Sequence, residues 1–422
     1  MNRQNVDDAL VAMRGLFPET PLQLNDHLSA RYGAEIWLKR EDLSPVRSYK
    51  IRGAFNFLRK SLQEGGAIGE GGTERTFVCA SAGNHAQGFA YVCRHFGVRG
   101  TVFMPVTTPQ QKIEKTRMFG AGFIEIKLFG DFFDQCYKAA RDHAEATGAI
   151  MVPPFDHPDI IEGQATVAAE ILAQLPDGFV PDLVIVPVGG GGLSSGVTGY
   201  LEGTIARDGF LFCEPEGAPS LKRALTAGEP VTLSKVDNFV DGAAVARIGD
   251  LNFEALKRFS PDQVMTIAEN AICVSMIEML NIEGVVLEPA GALSIAALAQ
   301  LPPEKLKGKR VVAIVSGGNF DFERLPDVKE RAMRHSGLKK YFILRLAQRP
   351  GALKDFLNLL GPEDDIARFE YLKKSARNFG SILIGIETAR PENFARLTAA
   401  FDAAGLGYQD ITENDILSSL II

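Results

Sequence analysis

The sequence is poor in cysteine. Its five thiols, Cys79, Cys93, Cys136, Cys213 and Cys273, include no C-x-x-C pair. An odd, unpaired set reads as reduced core residues of a cytoplasmic protein. No uninterrupted apolar run approaches the ~18 residues that a membrane span needs. The opening residues, Met1-Asn2-Arg3-Gln4-Asn5-Val6-Asp7-Asp8, lack the apolar core of a signal peptide. Positive charge is not in excess. A net charge of −7 argues against nucleic acid and anionic membranes as partners. There is no short-period repeat and no low-complexity tract. What is present is ordinary for a globular protein: 46% hydrophobic and 23% charged residues over 422 positions, enough for two or three domains and a sizeable core.

Taken in order, the chain opens with a short amphipathic helix. Asn5 is its expected cap, and Val6, Leu10, Met13 and Phe17 its apolar face. The segment from Pro18 to Pro21 ends it. Strand-like and helical runs then alternate to about residue 320, with strands at Ile36, Thr76, Thr101, Phe123, Ile150, Leu183, Phe210 and Val311. That rhythm predicts a parallel α/β architecture. Glycines crowd residues 64–72, an expected surface loop or hinge. Residues 321–336 are charged and read as a connecting helix and linker. From 337 to 422 the pattern changes to βαββαβ over about 80 residues, a ferredoxin-like order.

Four strand ends share a character. Ile36-Trp37-Leu38 leads through a charged elbow to Ser48-Tyr49-Lys50. Thr76-Phe77-Val78-Cys79-Ala80 leads to Ser81-Ala82-Gly83-Asn84-His85. Leu183 to Val188 leads to Gly189-Gly190-Gly191-Gly192-Leu193. Val311 to Val315 leads to Ser316-Gly317-Gly318-Asn319. Ligands of open parallel sheets sit at the carboxyl ends of strands, so four such ends suggest one shared site. Lys50 falls in the first turn of a helix, where the exposed N–H groups disfavour a second cation and bias the amine toward its neutral, nucleophilic form. The glycine run fails as a dinucleotide fingerprint, because Ser194 or Ser195 stands where the last glycine belongs. It fails as a P-loop because Val197 replaces the lysine. Glu214 nevertheless lies about where a ribose-binding acid would, which keeps an NAD-dependent dehydrogenase as an alternative. The reading that remains is a phosphate cradle of converging N–H groups. Residues 81–85 likewise open a helix and suit a carboxylate.

The order SYK, SAGNH, GGGGL, SGGN resembles the fold type II pyridoxal-phosphate enzymes, which are tryptophan synthase β-like, and among them the biosynthetic threonine dehydratases. The resemblance runs from about Phe17 to Ile422. It implies a catalytic domain over 1–320, with a smaller lobe at about 53–155 inserted into a larger one, and an ACT-like regulatory domain over 337–422. It assigns Lys50 to the cofactor linkage and to removal of the substrate's α-proton. It assigns Gly189, Gly190, Gly191, Gly192 and Leu193 to the cofactor phosphate, and Ser316 to the ring nitrogen. Asn84 falls to the ring hydroxyl, and Ser81, Ala82, Gly83, Asn84 and His85 to the substrate carboxylate. Ser81 is a candidate for proton transfer. For His85 a structural hydrogen bond is the preferred reading. Tyr49 is expected to pack against the ring, and Gly242 and Glu288 to border the pocket, a structural ion pair being the competing reading of Glu288. Pro153-Pro154-Phe155-Asp156 reads as lobe packing. A neutral hydroxyl at the ring nitrogen makes a weaker electron sink than a carboxylate, which suits elimination.

The implied reaction takes L-threonine to 2-oxobutanoate and ammonia, the first step of isoleucine biosynthesis. An L-serine-preferring dehydratase differs by one methyl group, which no residue decides. An amino-acid sensor on an inactive scaffold is disfavoured by the presence of Lys50. Some relatives carry a divalent ion on the loop matching 213–220. Ser220 removes one acidic ligand there, so no tight divalent metal site is expected, although a monovalent ion near Glu214 stays open. Isoleucine is the implied effector, with valine opposing it, through the C-terminal domain. A homo-oligomer, in many relatives a homotetramer, is the implied assembly. A chain ending near Arg334 is then expected to stay active and insensitive to isoleucine.

Overall fold

Val311, Val312, Ala313, Ile314 and Val315 have no solvent exposure at all. A continuous apolar run, rich in valine and isoleucine and without exposure, is the mark of a parallel strand covered on both faces. In the computed structural model of the chain, which describes residues 1–66, 74–372 and 379–414, this strand belongs to the first of two units, Met1–Asp321. The glycine-rich stretch 67–72 lies outside the described residues.

The strands of this unit are, in chain order, β1 Leu22–Leu24, β2 Glu35–Arg40, β3 Thr76–Ala80, β4 Arg99–Met104, β5 Ile124–Leu128, β6 Ile150–Met151, β7 Leu183–Pro187, β8 Phe210–Pro215, β9 Val264–Ile267 and β10 Arg310–Val315. They form two sheets. The larger runs β1-β2-β10-β7-β8-β9 and the smaller β5-β4-β3-β6. All pairings are parallel except that of β1 with β2. Two strands were not expected from the sequence. β1 is a three-residue edge, and β9 reads Val-Met-Thr-Ile with no sharp alternation. The first helix is Arg3–Met13, and its cap is Asn2 rather than Asn5. Asn2 accepts from the Gln4 N–H at 3.0 Å.

The helix Pro158–Gln174 is the central support. Pro158 sits in its first turn, where no backbone donor is lost. Every residue from Ile160 to Ile171 is buried. It packs on one side against the helix Lys50–Gly65 and on the other against the helix Gly192–Tyr200. Close approach needs glycine. A Cβ on Gly163 would stand 2.5 Å from the Arg52 carbonyl oxygen, and one on Gly88 3.0 Å from the Ile51 nitrogen. The start of the Lys50 helix is thus wedged between two neighbours that carry no side chain at the contact.

Beneath it lies a buried charge cluster that the sequence does not announce. The Arg52 guanidinium donates to Glu41 at 2.7 and 2.8 Å and to Glu170 at 2.7 and 3.0 Å. Lys39 donates to Glu170 and to the Thr20 carbonyl, both at 2.6 Å. Arg14 also reaches Glu170. Lys39, Glu41, Arg52 and Glu170 have no exposure.

The second unit, Phe322–Ile422, opens with the helix Leu325–His335. Its strands are β11 Lys339–Ala347, β12 Asp364–Leu372, β13 Phe379–Thr388 and β14 Gly407–Asp410, with helices Ala352–Leu357 and Asn393–Ala403 between them. The antiparallel order β12-β13-β11-β14 is ferredoxin-like. Alternate residues point inward: Phe342, Leu344 and Leu346 on β11, and Ile382, Ile384 and Ile386 on β13.

Candidate active site

The loops at the carboxyl ends of β2, β3, β7 and β10 carry the four motifs. Backbone bonds tie two of them together: the Tyr49 N–H donates to the Ser316 carbonyl at 3.2 Å, and Gly318 N–H to the Arg47 carbonyl at 2.9 Å. Lys50 begins its helix, which has no side-chain cap. Its amine donates to the Pro154 carbonyl at 2.9 Å and lies 5.4 Å from the Tyr49 ring centre and 5.8 Å from that of Phe155. Burial holds this amine down to about 8, while the charge of Glu288 pulls it upward. Burial is therefore the leading cause of its neutral bias, where the sequence pointed to the helix start.

Pro154 and Phe155 thus belong to the surroundings of Lys50, beyond the packing role read for residues 153–156. The Phe155 ring also fills the space beside the glycine run, since a Cβ on Gly190 would stand 2.3 Å from it. Gly191 needs its freedom for a second reason: its φ is +93°, open to glycine at no steric cost. Asp156 accepts from the N–H groups of Asp250, Leu251 and Asn252 at 2.9, 3.0 and 3.3 Å, capping the helix Asp250–Leu256.

The helix Gly192–Tyr200 starts on the glycine run, and the helix Asn84–Phe96 starts within residues 81–85. Neither has a side-chain cap. Uncapped starts offer N–H groups to anions. A Cβ on Gly83 would meet nothing within 4 Å, so that loop faces open space. Ser81 turns its hydroxyl to the Gly83 N–H at 3.2 Å, a role within the loop. His85 is buried and bonded to the Val152 carbonyl at 3.1 Å. Burial, with Lys50 adding, pushes it down to about 3. It is a neutral structural side chain.

Asn84 donates to Glu288 at 2.6 Å and accepts from Asn319 at 2.7 Å. Glu288 has no ion-pair partner among the described residues; its partner is the Asn84 amide, not a cation. Burial pushes Glu288 up to about 7, with Asp241 adding to the rise. Gly242 lies alongside, its Cβ position 3.7 Å from a Glu288 oxygen and 3.8 Å from the Asn84 nitrogen. Ser316 is buried and donates to the Ala290 carbonyl at 3.1 Å. Asn319 was not singled out beforehand, although it closes the fourth motif.

These residues fit pyridoxal phosphate. An amine stands between two aromatic rings, an uncapped helix start on glycines suits the phosphate, and a buried hydroxyl suits the ring nitrogen. Among the described residues, the buried oxygens Ser48 Oγ and Asn319 Oδ1 also have no hydrogen-bond partner. Glu214 lies elsewhere in role. It accepts from the N–H groups of Leu221 and Lys222 at 2.7 and 2.9 Å, capping the helix Ser220–Ala227. A carboxylate so engaged is poorly placed to bind a ribose or to ligate a metal ion.

Residues 14–317 match the family described as pyridoxal-phosphate dependent enzyme, and residues 330–421 match the C-terminal regulatory domain of threonine dehydratase. The chain is 44% identical over 420 residues to the L-threonine dehydratase biosynthetic IlvA of Bacillus subtilis (strain 168), covering 99% of this chain and 95% of that protein. It is 46% identical over 405 residues to the protein of the same name from Mycobacterium tuberculosis (strain ATCC 25618 / H37Rv), covering 95% and 92%. Among solved structures, the processed form of threonine deaminase isoform 2 from Solanum lycopersicum superposes with a TM-score of 0.69 at 36% identity, over 78% of this chain and 93% of that one. Maize serine racemase superposes with a TM-score of 0.68 at 27% identity, over 79% and 98%.

Proposed function

The chain belongs to the biosynthetic L-threonine dehydratases, and from that premise we propose that it converts L-threonine to 2-oxobutanoate and ammonia, the first step of isoleucine biosynthesis. The observation that carries the reading is the Lys50 amine, set between Tyr49 and Phe155 and depressed to about 8 where the motif-bearing loops meet. Bound pyridoxal phosphate supplies the electron sink that makes the substrate's α-proton removable. Lys50, whose amine is held down to about 8 and so gives up its proton more readily than an ordinary lysine, takes the α-proton in its neutral form. The uncapped start of the helix Asn84–Phe96 holds the substrate carboxylate, and the glycine run holds the cofactor's phosphate. The β-hydroxyl leaves as water, and the unsaturated amine so released takes up one water to give the oxo acid and ammonia. In a direct test, the purified protein forms 2-oxobutanoate from L-threonine with kcat/KM about 10-fold above L-serine, the scale of one methyl group in a pocket. A preference for serine transfers the reading to the serine dehydratases of the same fold.

The second unit supports an effector site. A cavity of about 300 Å³ lies there, bordered by Leu346, Arg349, Gly351, Ala352, Tyr371 and Ile382. Leu346, Ala352 and Ile382 on its wall, with the Arg349 guanidinium that also pairs with Asp355, suit a branched amino acid. Isoleucine is the effector in this reading, valine its antagonist, and residues 321–336 the connection between catalytic and regulatory parts. Regulation of a useful size needs ~1–3 kcal/mol of unequal binding to two states. Isoleucine is expected to inhibit the full chain, and Arg349→Ala to raise the half-inhibiting concentration about 10-fold. A chain ending near Arg334 is expected to keep its activity and lose the response. Inhibition that survives both changes places the effector elsewhere. The protein is further read as a cytoplasmic homotetramer, which light scattering checks. Among the described residues no helix is long and apolar enough to cross a membrane.

A further inference from the structure

Glu288 is 5% exposed and stands at the start of the helix Pro289–Gln300. Its carboxylate lies in a slot between two glycines. A Cβ on Gly317 would stand 2.1 Å from Oε1, and one on Gly242 3.7 Å from it. Two donors converge there, the Asn84 side-chain amide at 2.6 Å and the Asn319 backbone N–H. The Asn319 side chain returns to Asn84, donating to its Oδ1 at 2.7 Å, and is itself anchored on the Val46 carbonyl at 2.7 Å. This closes the choice of amide orientation for Asn84. Rotated by half a turn, its oxygen would face a carboxylate and its NH₂ another NH₂. As it stands, one Asn84 N–H remains for a bound hydroxyl or oxyanion.

We infer that Glu288 is a positioning residue, whose ionised carboxylate locks the Asn84 amide in its working orientation and sets the acid side of the enzyme's pH dependence. The inference rests on the threonine dehydratase reading and deepens it. The groups facing Glu288 agree. Asp241, from the loop beside Gly242, pushes it toward protonation. Lys112, on the helix Gln110–Gly120 and paired with Asp241, opposes this. Lys115 on the same helix, and Tyr49 and Lys50 at the start of theirs, all feel the Glu288 charge. With the carboxyl held near 7, protonation just below neutrality removes one acceptor from two donors. It also removes the charge that raises Lys50.

The test uses the full-length, cofactor-loaded enzyme. Threonine kcat and KM are measured from about pH 5.5 to 9, and the visible absorbance of the resting enzyme is titrated over the same range without substrate. In the wild type, kcat is expected to fall below a midpoint near 7. Glu288→Gln removes the charge and puts an NH₂ group where one carboxylate oxygen stood. It is expected to lower kcat about 10- to 100-fold with KM changed less than about threefold, as for a displaced positioning group. Its acid limb, and the midpoint of the resting absorbance, are expected to shift by more than about one pH unit. Asn319→Ala loosens Asn84 but keeps the charge, so kcat falls while the limb stays. Should Glu288→Gln not fold, Lys112→Ala serves instead and moves the limb upward. A wild-type limb and absorbance midpoint in Glu288→Gln, or an unmoved limb in Lys112→Ala, overturns the inference. If the wild type does not turn over threonine, the functional reading fails, and the absorbance titration still decides the role of Glu288.

Discussion

Lys50→Ala is expected to lower threonine turnover by roughly 10⁴-fold or more and to remove the long-wavelength absorbance of the loaded protein. General acid–base transfer alone is worth about 10²- to 10⁴-fold, and the same amine also anchors the cofactor. Among the described residues the amine makes one hydrogen bond, to the Pro154 carbonyl. Its loss costs about 1 kcal/mol, so the variant should fold. Circular dichroism and gel filtration establish that the fold is intact, and a coupled assay for 2-oxobutanoate reads the rate. Activity within about 10-fold of the wild type would mean that another group abstracts the proton.

Glu170→Ala is expected to be the most damaging substitution outside the site. Glu170 takes hydrogen bonds from Lys39, Arg52 and Arg14. Removing it leaves Arg52 buried with Glu41 as its remaining ion-pair partner among the described residues, and Lys39 buried with only the more distant charge of Glu41. Breaking a buried pair in this way costs about 3–5 kcal/mol, which corresponds to a fall in Tm of about 5–7 °C for a unit of this size. Burial pushes the Glu170 carboxyl up, but Arg52 and Lys39 overcome it and hold the group well below the usual carboxylate range. Its folded pKa is depressed, so its contribution to stability is present above the unfolded value of about 4.3 and is lost as pH falls through the folded one. The difference in Tm between wild type and Glu170→Ala should therefore narrow below about pH 4. A Tm within about 2 °C of the wild type would show that the cluster reorganises around the gap.

The order of elements and the four loops of the site were legible because both depend on short-range pattern. β7 and β10 are apolar strands rich in valine and isoleucine, and each leads into small, flexible residues. β1 and β9 were missed because an edge strand of three residues and the sequence Val-Met-Thr-Ile carry no periodicity worth the name. The cap of the first helix was misplaced by three residues because Asn2 and Asn5 are equally good caps out of context. What could not be read at all are contacts between polar residues far apart in the chain. Arg52 meets Glu170, 118 positions away, and Asn84 meets Glu288, 204 positions away. Nothing near Arg52 or Glu170 marks the other, and for Asn84 and Glu288 the resemblance implied that each borders the pocket but not that they meet. Phe155 was assigned to packing for the same reason: only the fold brings its ring beside both Lys50 and Gly190. The lowered basicity of Lys50 was anticipated, but from its helix position, whereas burial is the larger cause.

The five cysteines offer a clock for local opening. All are buried free thiols. Burial raises Cys79, Cys93, Cys136 and Cys213 above the ordinary thiol range, with Glu214 adding to it at Cys213. A thiol reagent attacks the thiolate, so each sulfur reacts only when its surroundings open. Cys79, Cys93 and Cys136 lie on or against the smaller sheet, and Cys213 on the larger. Labelling followed by mass spectrometry then times the breathing of the two sheets separately, with no engineered probe. Substrate that draws the smaller sheet shut slows the first three sulfurs and leaves Cys213 unchanged.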